Sequence, residues 1–461
     1  MGWKSPGAIL LISCYELGHQ PLGIAMPLAF LERAGYLPQA TDIAVESFDA
    51  EKAARARFIG ISVPMHTALR MGVQVIERIR EINPNCHICC YGLYAALNSD
   101  YLLENGADSC VGGEFESALV ALVESLEADS DDKITGVARA DSEAEPFLER
   151  LPFAVPARDA LPTLDQYAML EDNGDCRTAG YVEASRGCLH MCTHCPIPPV
   201  YGGRFFILPK DVVLDDIRQQ VRAGATHITF GDPDFLNGPK HAISVVRAMH
   251  EEFPSLTFDF TAKIEHLLNR GEHLPEFAKA GCLFIITAVE SLSDRVLEIL
   301  AKNHTRSEVE TALGVCREAG IPLRPTWVAF TPWTTLEDYC EVLNFVEANG
   351  LVDHIDPVQF AIRLLIPPGS LLAEHPETLP HRGELDESAF TYRWQHPDPA
   401  MDALQKEVAQ LVERDTMAET DPATTFFRIL ELAHGREPAN AVCSLPPDRL
   451  RTARLTETWF C

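Results

Sequence analysis

The sequence predicts an α/β protein: an N-terminal doubly wound parallel sheet, a second parallel strand–helix unit, and a mainly helical C-terminal segment. Three observations carry that expectation. Between residues 7 and 126, short apolar strand-like runs alternate with helical patterns, which implies parallel strands joined by crossovers. From Tyr181 the alternation resumes through six further strand–helix units. Beyond residue 371 helical periodicity dominates. The expected divisions are 1–128, a linker at 129–178, then 179–370 and 371–461.

In the first unit, Ala8–Cys14 reads as a strand and Ile24–Ala34 as a helix, with Pro27 expected in its first turn. Strand Phe58–Ser62 precedes helix His66–Ile82, and strand Cys86–Tyr91 ends at Gly92. A short strand at Ser109–Val111 leads through Gly112-Gly113-Glu114 into a helix reaching Glu124. Ligands of such sheets bind beyond the carboxyl ends of the strands. The candidate contact loops are therefore Cys14–Pro21, Pro64–Thr67, Gly92–Tyr94 and Gly112–Glu114. Asp129–Glu145 is acidic and poor in apolar residues, the pattern of an exposed loop, and Leu151–Thr178 reads as an extended crossing. Strands of the second unit are expected at Gly180–Ala184, His227–Phe230, Thr257–Thr261, Phe284–Val289, Leu323–Phe330 and Pro357–Arg363. The last segment is helical over Ala400–Ala418 and Ala423–Leu432.

Composition narrows the function classes. The net charge of −29 repels nucleic acid and anionic membrane surfaces, so neither partner is expected. Solubility or a salty habitat is the plain reading of that acidity. The apolar run Ala8–Ile12 is too short for a signal segment, and no stretch reaches the ~18 to 20 apolar residues of a membrane span. Fourteen cysteines scattered without a secretory signal fit reduced thiols and metal ligation in the cytoplasm.

The densest cysteine pattern is Cys188-x3-Cys192-x2-Cys195, placed after Gly180-Tyr181-Val182. Thiolates at this density suit an iron–sulfur cluster. A four-iron cluster on three cysteines keeps one iron open to a small molecule. Tetrahedral zinc competes, with His190 or His194 as a fourth ligand. The spacing resembles that of the radical S-adenosylmethionine (radical SAM) superfamily. By that resemblance Cys188, Cys192 and Cys195 hold a [4Fe–4S] cluster, and the amino and carboxylate groups of S-adenosylmethionine chelate the fourth iron. One electron, from a donor such as flavodoxin or ferredoxin, then cleaves a sulfonium C–S bond and usually gives a 5′-deoxyadenosyl radical. His194 stands where the family often has an aromatic residue near the adenine. The six strand–helix units correspond to the incomplete (β/α)6 barrel of these enzymes, whose chemistry gathers at the C-terminal strand ends.

At that mouth, Asp232 or Asp234 in Gly231-Asp-Pro-Asp-Phe235 could receive the methionine ammonium, with helix capping as the alternative for either. Lys263 suits a carboxylate, and Glu265 an ammonium or ribose. Glu290-Ser291 stands where similar enzymes hold the ribose or amino group, and Ser291 could equally be an N-cap. Arg363 among apolar neighbours needs an anion, from a ligand or an internal salt bridge. Cys86 and Cys89 have redox spacing, but strand alternation points them to opposite faces. Cys282, Cys316 and Cys340 read as core.

The first unit resembles the cobalamin-binding-type domain that precedes many radical SAM cores, through Asn83-Pro84, Tyr91-Gly92 and Gly112-Gly113-Glu114-Phe115-Glu116. The Asp-x-His-x-x-Gly motif that supplies the cobalt ligand is absent, so the unit either binds cobalamin without that ligand or keeps only the scaffold. Further stretches resemble a radical SAM subgroup named for a Cys-Cys-Ala-Glu-Pro or Cys-selenocysteine-Ala-Glu-Pro tail. They are Tyr15–Gly18, Pro64–Thr67, Tyr91–Tyr94, Phe230–Phe235 and Ala329–Trp333. The present chain stops at Cys461, the first cysteine of such a tail, as a selenocysteine codon read as stop would produce. The subgroup also resembles enzymes that join the aminocarboxypropyl part of S-adenosylmethionine to arsenic. A thiol at Cys461, with Cys443, would suit such a soft acceptor, against a bland terminal cysteine. The expected function is reductive cleavage of S-adenosylmethionine to modify a small molecule. The alternatives are aminocarboxypropyl transfer and a non-catalytic cobalamin- or metal-binding sensor.

Overall fold

The strands Ile9–Ser13 (β1), Gln39–Asp42 (β2), Phe58–Ser62 (β3), His87–Tyr91 (β4) and Ser109–Val111 (β5) form a parallel sheet in the order β2-β1-β3-β4-β5. The computed structural model describes residues 2–130, 132–446 and 448–457. All of β1 and β3 is buried, because helices cover both faces and such strands must be apolar throughout. Leu11, Cys89 and Tyr91 pack on one face, and Leu10, Cys86, Cys90 and Cys110 on the other. Cys86 and Cys89 are thus separated by the sheet, as alternation predicts. The strand order reverses between β1 and β3, which places the ligand crevice at their carboxyl ends.

Three local expectations are corrected here. Strand β2 lacked an apolar signature. The first helix is Leu22–Arg33, so Pro27 lies beyond its first turn. The acidic stretch after residue 129 contains Val137–Ala138 (β6), antiparallel to β5, and Glu114 N–H donates to Phe147 O at 2.7 Å. That segment is stitched to the sheet rather than left as an open loop.

The second sheet begins with a hairpin, Met169–Asp172 (β7) and Asp175–Val182 (β8), turned by Asn173 and Gly174 at φ +52° and +89°. Asn-Gly is the pair that tolerates two left-handed residues in a tight hairpin. After Ser185–Gly187 (β9) and its antiparallel partner Phe205–Ile207 (β10), parallel strands His227–Phe230 (β11), Thr257–Thr261 (β12), Cys282–Glu290 (β13) and Leu323–Trp327 (β14) follow. The sheet order is β14-β13-β12-β11-β8-β7-β17, with Arg454–Leu455 (β17) as its far edge, giving a curled half-barrel. The strand expected at Pro357–Arg363 is instead a 3-10 turn at Pro357–Ala361, leaving one bridge between Phe330 and Arg363. The Gln359 side chain accepts Trp327 N–H at 3.0 Å, so a carboxamide takes the place of main-chain pairing. The C-terminal part adds a hairpin, Arg382–Asp386 (β15) with Thr391–Trp394 (β16), before helices Pro399–Met417 and Pro422–Ala433. Among the described residues no helix is long and apolar enough to cross a membrane.

Arg158 holds the crossing segment in place. Its guanidinium forks onto Asp216 at 3.0 and 2.9 Å and donates to Tyr181 O and Gln20 O. Both partners of the ion pair are about 5 % exposed or less. Replacing Arg158 with Met strands a buried carboxylate, so Arg158→Met should destabilise by about 3–5 kcal/mol. Urea unfolding would show a lowered midpoint; an unchanged midpoint would contradict this role.

Candidate active site

Strand β9 delivers Cys188 at the top of the half-barrel. Gly187, at φ +74°, must be glycine: a Cβ there would lie 2.5 Å from Arg204 O and 2.6 Å from the Tyr201 ring. The loop that follows is pinned from outside, as Thr193 N–H donates to Leu300 O and Leu372 N–H to Thr193 O. Cys195 N–H donates to Cys192 O at 3.2 Å, closing a turn between the last two cysteines. Cys188 and Cys192 are buried and Cys195 half-buried. Burial pushes the Cys195 thiol up to about 12, further raised by Cys192 and Cys188, so this thiol becomes a thiolate only when a metal compensates.

The geometry separates zinc from a cluster. Tetrahedral zinc at about 2.3 Å from each sulfur would draw the thiols to ~3.8 Å of one another. Among the described residues, the three sulfurs do not form a set within 4.8 Å. A spacing wider than zinc allows is the one the larger iron–sulfur cube needs. Neither histidine of the loop closes the site. His190 Nε2 lies 3.3 Å from Asp234, and His194 Nε2 lies 3.3 Å from Glu290. Asn237 Nδ2 donates to Cys188 Sγ at 3.6 Å, a hydrogen bond available to tune a bound cluster.

Charged groups surround this loop. Glu290 ends β13 at φ +69°, a backbone strain for a residue with a Cβ. Burial would raise its carboxyl, but Lys302, 3.4 Å away, and His194 overcome that and hold it down at about 2. Lys263 follows β12; its Nζ is buried and has no hydrogen-bond partner. Burial, then Lys302 and Lys263, lower His304 to about 4, so this corner is cationic and suits a ligand carboxylate. Ser291 Oγ accepts Ser293 N–H at 3.1 Å, a turn at the start of the next helix. Asp232 accepts from Ala184 N–H and Ser185 O–H at 2.9 and 2.5 Å, and Asp234 caps the turn at Phe235–Asn237 while facing His190 and His266. Glu265 Oε2 lies 3.7 Å from His190 Nδ1. Arg363 pairs with Asp402 at 2.6 Å and stacks on Trp394, so the internal salt bridge is its partner.

A cavity of about 340 Å³ opens beside Cys195, lined by His194, Glu290 and Trp327 on one side and by Met65, His66 and Tyr94 of the first sheet on the other. Trp327 Nε1 is buried without an acceptor. Trp327 and Gln359 lie toward the top of the half-barrel. Sequence reasoning left their roles open, because an indole on a strand and a glutamine in an expected strand carry no motif. A second cavity of about 170 Å³ shares Pro64 with the first and is walled by Gly23, Gly92, Gly113, Gly187 and Gly231. Five lining residues without side chains favour the edge of a flat corrin, and Phe115, Glu183, Arg186 and Tyr201 complete the wall. His19, the histidine of the Cys14–Pro21 loop, is buried and stacked on Tyr181 at 4.5 Å, so it is not presented to a cobalt.

The tail divides. Cys461 lies outside the described residues. Cys443 is half-buried, donates to Leu445 O at 3.8 Å and lines neither of these cavities. Glu457 accepts from Tyr15 O–H at 2.5 Å, tying the chain end to the first contact loop.

Comparison with known proteins agrees with this layout. Residues 182–346 match the family model described as the radical SAM superfamily, and residues 9–123 the B12 binding domain. The chain is 24 % identical to the hopanoid C-3 methylase of Methylococcus capsulatus over 68 % of its own length and 62 % of that protein's. It is 28 % identical to the bacteriochlorophyllide d C-12(1)-methyltransferase of Chlorobaculum tepidum over 27 % of each chain. The fold resembles the cobalamin-dependent S-adenosylmethionine radical enzyme OxsB, with a TM-score of 0.70 at 16 % identity, covering 88 % of this chain and 67 % of that one. It also resembles the radical S-adenosylmethionine methyltransferase TsrM from Kitasatospora setae, with a TM-score of 0.63 at 16 % identity, covering 93 % and 96 %.

Two outcomes follow from the geometry. Cys192→Ala should abolish the cluster, reducing bound iron from about four per chain to near zero; retained iron and visible absorbance would refute its ligand role. Burial raises the Asp232 carboxyl to about 7, opposed by the Ala184 N–H and Ser185 O–H bonds. A folded value above the unfolded one means that stability falls as pH rises from about 4 to about 7 and then levels. Asp232→Asn should flatten that part of the stability–pH curve, read by urea unfolding; an unaltered slope would contradict it.

Proposed function

We propose, on the premise that this chain is a B12-binding domain followed by a radical SAM domain, that it methylates a small, largely apolar molecule at the expense of S-adenosylmethionine. The observation that carries the reading is the Trp327 cavity, where the cluster loop faces the Pro64–Thr67 loop of the first sheet. A molecule held there touches both cofactor regions at once. The cluster supplies an open iron and single electrons, drawn from a flavodoxin- or ferredoxin-type donor, and the corrin supplies a methyl carrier.

This chain's own residues bind and orient. Lys263 would receive the carboxylate of S-adenosylmethionine, because its buried ammonium has no other hydrogen-bond partner. Glu290, kept anionic by Lys302, would accept from the amino group or ribose, with Ser291 beside it. His194 would lie against the adenine. Asp232 supports the Ala184–Ser185 turn from below, and Asp234 and Glu265 are directed at histidines, which leaves them outside this set. Trp327 Nε1 offers one donor to a substrate acceptor in a largely apolar pocket that His66, His194, Glu290 and Gln359 also line, and Arg363 stays paired at its rim. The names of the curated relatives, a methylase and a methyltransferase, support methyl transfer.

A second reading draws on the Tyr15–Glu457 bond, which anchors the chain four residues before Cys461. On it, the protein belongs to the cysteine-tail subgroup and transfers the aminocarboxypropyl group to arsenic or another soft acceptor held by Cys461.

Anaerobic protein reconstituted with iron, sulfide and hydroxocobalamin, then given a reductant and S-adenosylmethionine, should yield 5′-deoxyadenosine and S-adenosylhomocysteine. 5′-Methylthioadenosine would select the second reading. An intact cluster with no nucleoside product would instead point to a sensor and sink both. Lys263→Ala should raise the KM for S-adenosylmethionine at least tenfold; an unchanged KM would remove its assigned role.

A further inference from the structure

Three side chains of the active-site rim converge on one carboxylate oxygen: Asp234 Oδ1 accepts Leu236 N–H at 3.0 Å, while Oδ2 accepts Lys263 N–H at 3.3 Å and faces two imidazole nitrogens. His190 lies between Cys188 and Cys192, Asp234 follows β11, and His266 sits on the short helix Ile264–Asn269. One ligand atom from each falls within 4.8 Å of the other two. His266 Nδ1 is 2.8 Å and His190 Nε2 3.3 Å from the same oxygen, Asp234 Oδ2. Yet both nitrogens are buried and lack an aligned hydrogen bond. Their in-plane directions therefore do not run along the lines to that oxygen. Asp234 is fully buried and His190 is 9 % exposed, so water cannot solvate this arrangement freely.

We propose that His190, Asp234 and His266 bind one divalent first-row metal ion, with Zn2+ the representative case. Two imidazoles and one carboxylate are an established donor set for such ions, and water would complete the coordination. Glu265 Oε2, 3.7 Å from the other ring nitrogen of His190, is placed to orient that ring, as carboxylates behind metal-bound histidines do. None of the three ligands lines either cavity beside the cluster loop. The ion is therefore structural: it fastens the loop bearing Cys188 and Cys192 to the ends of β11 and β12. The site uses no cluster cysteine and does not depend on which reaction the enzyme performs.

The cluster-reconstituted protein, incubated with zinc chloride and desalted, should retain about one zinc per chain alongside an unchanged iron content. X-ray absorption at the zinc edge should show nitrogen and oxygen at about 2.0–2.2 Å and no sulfur shell at ~2.3 Å. His266→Gln should weaken zinc retention at least tenfold while keeping its iron, which also reports that the chain has folded. Glu265→Gln, a change at a partly exposed position, should weaken it by about 10-fold or more. Absence of zinc from the wild-type protein, a sulfur shell, or undiminished zinc in both variants would overturn the site. Loss of nucleoside products with zinc retained would instead count against the proposed reaction alone.

Discussion

The arrangement depends on one buried guanidinium. Arg186, two residues before Cys188, bonds Glu116 at 2.6 Å and Glu183 at 3.0 Å, with Glu114 at 3.5 Å. Glu114 and Glu116 follow β5 in the first sheet, whereas Arg186 lies on β9, in the short ribbon that follows β8 of the second unit. A buried cation cannot be left unpaired, so the two units are held with their carboxyl strand ends face to face. Three acids crowd one base. Burial, only partly relieved by Arg186, leaves Glu114 raised to about 7, and Tyr201 O–H donates to it at 2.9 Å.

That junction gives the cluster loop its surroundings. Helix His66–Ile82 and the turn before it cannot reach Trp327 by local folding; they do so because the sheets are locked together. The strain at Glu290 and the unpartnered Lys263 are tolerated in the same region, where tertiary packing over-determines them. Arg158 performs the matching task beneath, joining the crossing segment to both units through Asp216, Tyr181 and Gln20.

Much was legible from residue order because its causes are local. Helix His66–Ile82 has the expected limits, since its apolar residues repeat at helical spacing between a polar start and Asn83-Pro84. The cysteine triplet was readable because thiol number and spacing restrict the metal chemistry before any fold is known. Strand β2 was not readable: Gln39-Ala-Thr-Asp is polar and becomes a strand only by pairing with β1. The strand expected at Pro357–Arg363 failed for the converse reason: its apolar residues wind into a 3-10 turn, and the Gln359 side chain, not a main-chain carbonyl, accepts Trp327 N–H.

Side-chain destinations divide along the same line. Residue type alone marked Lys263, Glu290 and the three cysteines as chemistry-bearing. Whether Arg363 met a ligand or Asp402, and whether Asp234 faced an ammonium or two histidines, was settled by residues distant in sequence. The sequence by itself determined the order of the two parallel units and the thiol set. Only the tertiary structure decided which charges were paired and which were left open, because pairing depends on distances that no local pattern encodes.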